Sequence, residues 1–392
     1  MKLWEKNTPL DPRIEAYTVG DDPDLDIRLI RYDCQASLAH ARMLGKIGVL
    51  TSEEVTRLET GLNEIITASR KGEFKIRQED EDCHTAIENY LTQTLGDLGK
   101  KIHTARSRND QVLAALRLYY KDEIIHCENG IHNLLYALQN LSNRDGKIRL
   151  PGYTHTRKAM VSSVELWAGG FSECLSDNLM LLTVSRDLID QSPLGSGAGY
   201  GIPLEIDREF VAEAAGFSQV QQVPTTVQLS RGKLESTLVH TMTQIMIDLN
   251  RIACDLILFT EPTFGYFNLP VAFCTGSSIM PQKRNPDVLE LVRAHYHRVL
   301  AAEFQLKSQI ANLISGYHRD LQLTKRPVME SLDITLKSLE IMTLVIDNLK
   351  VDEARCLAGL TPEIFATEKV YELVKQGVPF REAYRKIARE FE

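Results

Sequence analysis

The chain has 392 residues, with 45 Lys and Arg against 53 Asp and Glu, a net charge of -8 and a pI near 5.8. That length exceeds one comfortable core and suggests about two to three domains. The charge excludes a global basic field for nucleic acid or anionic lipid, so a small molecule is the expected partner. No stretch offers a spanning apolar run, and Met1 to Lys6 lacks the apolar core of a signal peptide, so a cytoplasmic protein without membrane association is expected. Cys34, Cys83, Cys127, Cys174, Cys254, Cys274 and Cys356 show no CxxC or ligand spacing and read as reduced, buried small hydrophobes.

Residues 1 to 105 mix short helical patterns with turns and read as an N-terminal, mostly helical domain. Asp33 to Ala41 looks like a helix start rich in small residues, in which Ser37 and His40 read as a back-bonding hydroxyl and a satisfied imidazole. Thr51 caps the next helix, with Glu54 as its capping-box partner. His103 to Gln111 is dense in donors just before a long helix. Arg106, Arg108 and Asn109 there suit either a bound dicarboxylate or a solvated capping turn.

From 106 to 350 the repeat becomes heptad-like. Leu113, Leu116, Tyr120, Ile124, Cys127, Ile131, Leu134, Leu138 and Leu141 step mostly by four and three. Leu238, Met242, Ile245, Leu249, Ile252, Leu256 and Phe259 alternate four and three without a break until Pro262, which predicts a helix over 233–260. Similar stripes run over 164–189, 292–313 and 328–349. The pattern predicts an all-α fold, an elongated bundle of about five long helices flanked by two smaller, mostly helical domains. Stripes this wide can bury a second apolar face against another subunit, so an oligomer is expected. Residues 351–392 weaken into shorter helices and read as a short C-terminal domain.

Polar loops interrupt this pattern. Pro151 to Arg157 sets His155 in a turn, where it suits acid–base work. Pro193 to Gly201 is glycine-rich but follows a helix and lacks a Walker lysine, so it reads as a tight turn ordering the end of the bundle. Gly276 to Pro286 carries a serine pair before Pro281, sets Lys283 and Asn285 between Pro281 and Pro286, and leads into a helix N-terminus, which suits an anion. Gly316 to Lys325 is again rich in donors. Together the loops supply Arg, Lys, Asn, Gln, Ser, Thr and His but no cluster of metal ligands. That inventory fits carboxylate binding and proton transfer.

The same segments carry a resemblance. GSSIMPQKRNP from Gly276 matches the GSSxMPxKxNP signature of the fumarase/aspartase superfamily. HTARSRNDQV from His103, PLGSGA from Pro193 and PGYTH from Pro151 resemble the argininosuccinate lyases within it, and YDCQASLAHA and GVPFREAY extend the likeness over nearly the whole chain. The resemblance implies reversible elimination of argininosuccinate to L-arginine and fumarate, in arginine biosynthesis. It also implies a homotetramer, active sites drawn from three subunits, no cofactor and no metal. Ser277 falls on the family's proposed base, Lys283 and Asn285 on its carboxylate-stabilising positions, His155 on its signature histidine and Glu290 on that histidine's charge partner. Ser37, Arg108, Asn109, Thr154, Tyr317, Gln322 and Lys325 match its substrate-binding positions. Three segments depart from the family pattern: Thr156 to Met160 replace the usual LQ-AQP, Ser230 to Lys233 follow SxRD only loosely, and Arg319 stands where lysine is usual. The chain also ends sooner after PFREAY than most members.

Two other readings are weighed against this one. An adenylosuccinate lyase-type enzyme needs a phosphate and purine site, against which the SRND and PLGSGA segments speak. A non-catalytic, crystallin-like structural protein is disfavoured by the intact Ser277, His155 and Lys283.

Overall fold

A computed structural model describes residues 10–391. The expectation drawn from Met1 to Lys6 lies outside the described residues. The helices in chain order are α1 (Pro12–Val19), α2 (Asp22–Asp26), α3 (Ile30–Lys46), α4 (Ser52–Arg70), α5 (Cys83–Leu95), α6 (Asp97–Lys101), α7 (Arg108–Asp145) and α8 (Val164–Ile189). They continue as α9 (Arg208–Ala215), α10 (Pro224–Ser230), α11 (Lys233–Phe259), α12 (Asp287–Ile310), α13 (Lys325–Asn348), α14 (Glu353–Ala358), α15 (Ala366–Lys375) and α16 (Phe380–Ala388). The fold is all-α. Helices α7, α8, α11, α12 and α13 are the long ones, with 38, 26, 27, 24 and 24 residues. Among the described residues none is long and apolar enough to cross a membrane.

Packing groups the chain into two compact units. The first comprises residues 1–126, 182–240 and 301–332, and the second 127–181, 241–300 and 333–392, so the division falls within all five long helices.

In the first unit α3 packs on α4, α5 and α9. Cys34, Ala36, Ala39, Met43 and Leu44 of α3 are completely buried, as are Leu58, Leu62 and Ile65 of α4. Burying one such leucine or isoleucine stabilises the fold by about 1.5–3 kcal/mol. The small residues permit close approach. A Cβ at Gly99 of α6 would lie 2.3 Å from the Leu91 carbonyl carbon of α5, a contact only glycine allows. The expected capping box starts α4: Thr51 Oγ1 accepts the Glu54 N–H at 3.2 Å, and Glu54 Oε2 accepts the Thr51 N–H at 2.9 Å.

In the second unit the α11 stripe is buried from Met242 to Phe259, as its spacing predicts. Phe259 meets Phe267 edge-on at 5.7 Å, and Trp167 donates its indole N–H to Asp255 at 2.9 Å. Two strands, β1 (Arg149–Thr154) and β2 (Arg157–Ser163), form an antiparallel hairpin that the helical periodicity did not announce. Thr156 to Met160, where the chain departs from the family pattern, close its turn and begin β2.

All seven cysteines are free. Burial holds for Cys34, Cys83, Cys127 and Cys356, but Cys174 and Cys254 are exposed and Cys274 is partly so. Spacing alone did not reveal that these three lie off the packed faces.

Candidate active site

In the first unit, the loop before α7 and the segment before α13 face one cavity of about 440 Å³, within the ordinary range for a small-molecule site. Arg108, Asn109, Tyr317, Gln322 and Lys325 line it, five of the seven residues expected to bind substrate. Asp22, Glu81, Asp82, Arg106, Arg231 and Arg319 line it as well. Sequence reasoning offered Arg106, beside Arg108, to a dicarboxylate, and gave the other five no role. Arg106 lay inside a quoted motif and Arg231 inside a noted departure; the acidic residues carried no local signal.

The walls are built from paired charges. Arg108 meets Glu81 at 3.1 Å and Asp82 at 3.2 Å, and donates to Thr85 Oγ1 at 2.9 Å. Burial opposes its charge, yet the two carboxylates hold its pKa above the ordinary guanidinium value. Lys325 lies 2.9 Å from Asp22 and 2.5 Å from Asp26. Burial opposes that ammonium too, and the two aspartates outweigh it and raise the pKa. For Asp22 burial dominates over the pull of Lys325, pushing its carboxyl up to about 6.

A buried network backs the cavity. Asp33 accepts from Ser37 Oγ at 2.9 Å and from Gln111 Nε2 at 3.0 Å, and pairs with His84 Nδ1. Arg106 donates to Ser37 Oγ at 2.8 Å. Ser37, expected to bind substrate, is completely buried and already engaged on both sides, so it stands behind the lining and orients Arg106. His40 Nε2 donates to the Thr104 carbonyl at 2.8 Å, which anchors the loop that carries Arg106 and Arg108. Burial pushes its pKa down to about 3.

Asp110 ties the same loop to the glycine-rich one. It accepts the N–H groups of Ser107 at 2.9 Å, Gly195 at 3.2 Å and Gly197 at 2.8 Å. Gly195 and Gly197 adopt φ of 84° and 59°, which turns their N–H groups inward at no Cβ cost. The glycine loop is therefore a turn that clasps the start of α7.

Asp26, Cys83 and His84 bring three possible metal-ligand atoms within 4.8 Å of one another. Each is committed. Asp26 binds Lys325 and the Cys83 N–H, His84 binds Asp33, and burial raises the Cys83 thiol well above its usual pKa, so it stays protonated.

The other expected residues lie in the second unit. Thr275 and Asn285 pair through their backbones at 3.1 and 2.8 Å and pinch the signature loop closed at its neck. Asn285 Nδ2 adds a bond to the Gly276 carbonyl at 3.3 Å. Within the loop, Ser277 Oγ accepts the N–H groups of Met280 at 3.2 Å and Ile279 at 3.4 Å. Lys283 is exposed, as is Glu290 on the first turn of α12. That turn also carries Asp287, bonded to the Thr275 hydroxyl, so acidic side chains already answer much of the positive helix end that sequence reasoning offered to an anion.

Thr154 ends β1, exposed, and His155 and Thr156 make the two-residue turn to β2. Both turn residues have positive φ, 52° and 58°, the geometry of a type I′ turn without the usual glycine. Such strain in a non-glycine pair points toward function. No ion pair joins His155 to Glu290 among the described residues.

The lyase family model matches residues 5–301. The argininosuccinate lyase of Thermotoga neapolitana is 52% identical over 390 residues, covering 100% of this chain and 98% of its own length. That of Sorangium cellulosum is 44% identical, with 100% and 90% covered. Among solved structures, an EDDS lyase in complex with formate has a TM-score of 0.83 at 23% identity, covering 98% of this chain and 76% of that one. A class II fumarase from Schistosoma mansoni has a TM-score of 0.80 at 15% identity, covering 95% and 91%. At those identities the structures speak for the fold alone. By the family model and by identity over its whole length, the chain belongs to the argininosuccinate lyase family.

Proposed function

We propose that the chain catalyses the reversible elimination of argininosuccinate to L-arginine and fumarate, a step of arginine biosynthesis carried out in the cytoplasm. The observation that carries this reading is the cavity that gathers Arg108, Asn109, Tyr317, Gln322 and Lys325. Its paired acidic and basic walls suit a substrate that carries both carboxylates and cationic nitrogen groups.

Removal of the β-proton leaves charge spread into the adjacent carboxylate, so donors must already face it. Lys283 and Asn285 take that role. Ser277 is the base. The two N–H groups aimed at its oxygen favour the alkoxide and lower the cost of losing its proton. The departing guanidino nitrogen takes a proton from His155, with Glu290 as its charge partner, or from a held water. Ser37 and Thr154 complete the substrate contacts, Ser37 through Arg106.

The working form is a homotetramer. Met180 of α8 and Phe304 of α12 are 70% and 73% exposed, each one helical turn from a second exposed apolar residue, Val184 and Leu300. Exposed apolar pairs on long helices are the faces a second copy covers. The division into parts at about 105 and 350 completes the proposal. Release of fumarate, followed by its ultraviolet absorbance with argininosuccinate and adenylosuccinate as competing substrates, tests the reading. Turnover of adenylosuccinate alone, or of neither, overturns it.

A further inference from the structure

Five guanidinium and ammonium groups line the cavity of the first unit. Four have partners within the chain. Arg106 donates to Ser37 at 2.8 Å, Arg108 pairs with Glu81 and Asp82, Arg319 donates to the Thr18 carbonyl at 2.7 Å, and Lys325 pairs with Asp22 and Asp26. Arg231 is the exception. It is 4% exposed, among the described residues its guanidinium makes neither a side-chain hydrogen bond nor an ion pair, and its Nε, like that of Arg106, is buried without a partner. The nearby Glu235 accepts the Gly232 N–H at 2.7 Å instead. The guanidinium lies over the Tyr317 ring, 5.2 Å from its centroid.

A buried guanidinium that makes neither an ion pair nor a side-chain hydrogen bond is strongly unfavourable, and a ligand carboxylate at its open edges would supply both. The backbone here is fixed. Arg231 stands in the short junction between α10 and α11, and the next residue, Gly232, has a φ of 75° with room for no Cβ, since one would lie 2.2 Å from Ile310 Cγ2. The ring beneath holds one face of the guanidinium, leaving its N–H edges for an acceptor in the cavity.

We infer that Arg231 binds a carboxylate of the substrate through its N–H fork, and so helps select a multiply anionic substrate. The inference rests on the reading of the cavity as an argininosuccinate site, and adds to it a residue which the family signature did not supply. No covalent step is involved; the bound carboxylate replaces water at the N–H edges and supplies the absent counter-charge.

The test compares the full-length wild type with Arg231→Met and Arg231→Lys. Steady-state cleavage of argininosuccinate, calorimetric titration with fumarate and with L-arginine, and thermal melting are measured on each. In Arg231→Met, KM rises about 10- to 100-fold, as loss of a bidentate charge-assisted contact requires, and the affinity for fumarate or for arginine falls in step. Arg231→Lys loses less, because it keeps the charge without the fork. The melting temperature of Arg231→Met is equal to or above that of the wild type, since an unpaired buried charge is gone; a merely structural arginine gives the opposite result. The product whose affinity falls identifies which half of the substrate carries the carboxylate. Unchanged KM and unchanged affinity for both products overturn the inference, as does a lower melting temperature with binding intact. A wild type that binds fumarate but does not cleave argininosuccinate overturns the functional reading instead, and loss of that binding in Arg231→Met still supports the role of Arg231. Should Arg231→Met fail to fold, Arg231→Gln reads the same quantities.

Discussion

Lys325 Nζ lies 2.5 Å from Asp26 Oδ1, with both side chains buried, and its second partner, Asp22, is 2.9 Å away. An ammonium has three donors, so these two carboxylates leave Lys325 one donor for a ligand. The pair fixes α2 against the start of α13 and thereby the end of the cavity.

Asp26→Asn leaves Lys325 with Asp22 as its carboxylate partner, so it is expected to destabilise the protein by about 1.5–3 kcal/mol, less than a buried charge left wholly unpaired. Denaturant unfolding of the two proteins measures it. A loss below about 1 kcal/mol is the range of exposed pairs and means that solvent reaches Lys325.

Ser277→Ala separates base from hydrogen-bond donor. As the base, its loss lowers kcat by about 10² to 10⁴ with KM nearly unchanged, because the carboxylate contacts are proposed to come from Lys283, Asn285, Arg108 and Asn109. A raised KM with a small change in kcat assigns Ser277 to ground-state binding. His155→Asn is the companion variant. If it loses exchange of the β-proton with solvent while Ser277→Ala keeps it, the base and acid roles are exchanged.

The buried His40 makes stability depend on pH. Its folded pKa, pushed down to about 3 by burial, lies below the unfolded value of 6.5. The unfolded chain thus binds the proton first as pH falls. The contribution is complete above pH 6.5 and is lost progressively as pH falls toward 3, by an amount on the order of a few kcal/mol. Unfolding midpoints taken from pH 8 down to pH 4 for wild type and His40→Gln measure the difference. The variant's stability falls less steeply in that window, and parallel curves exclude the mechanism.

The proposed homotetramer is tested at the exposed apolar positions of α8 and α12. Phe304→Glu and Met180→Asp place charges on exposed helix positions, so they are expected to dissociate the assembly while leaving the protomer's circular dichroism unchanged. Analytical ultracentrifugation gives the masses. A wild type that is monomeric and active at micromolar concentration refutes both the assembly and an active site shared among subunits.

Spacing in the sequence determined the long helices almost completely. The predicted helix over 233–260 is α11, Lys233–Phe259, and all nine stripe residues from Leu113 to Leu141 are buried on α7, because a four-three apolar period has one stable way to leave water. Local chemistry also fixed the Thr51–Glu54 capping box, whose partners are three residues apart. The signature loops located five residues of one cavity, although they lie more than 200 positions apart along the chain. What only the tertiary structure decided is which charges face one another. That Ser37 is spent on Arg106, that Lys325 is held by Asp26 and Asp22, and that Arg231 is left without an acid all depend on distances between segments remote in sequence. Periodicity carries no information about such distances, since it reports which face of an element is apolar and not which polar group the folded chain brings against it.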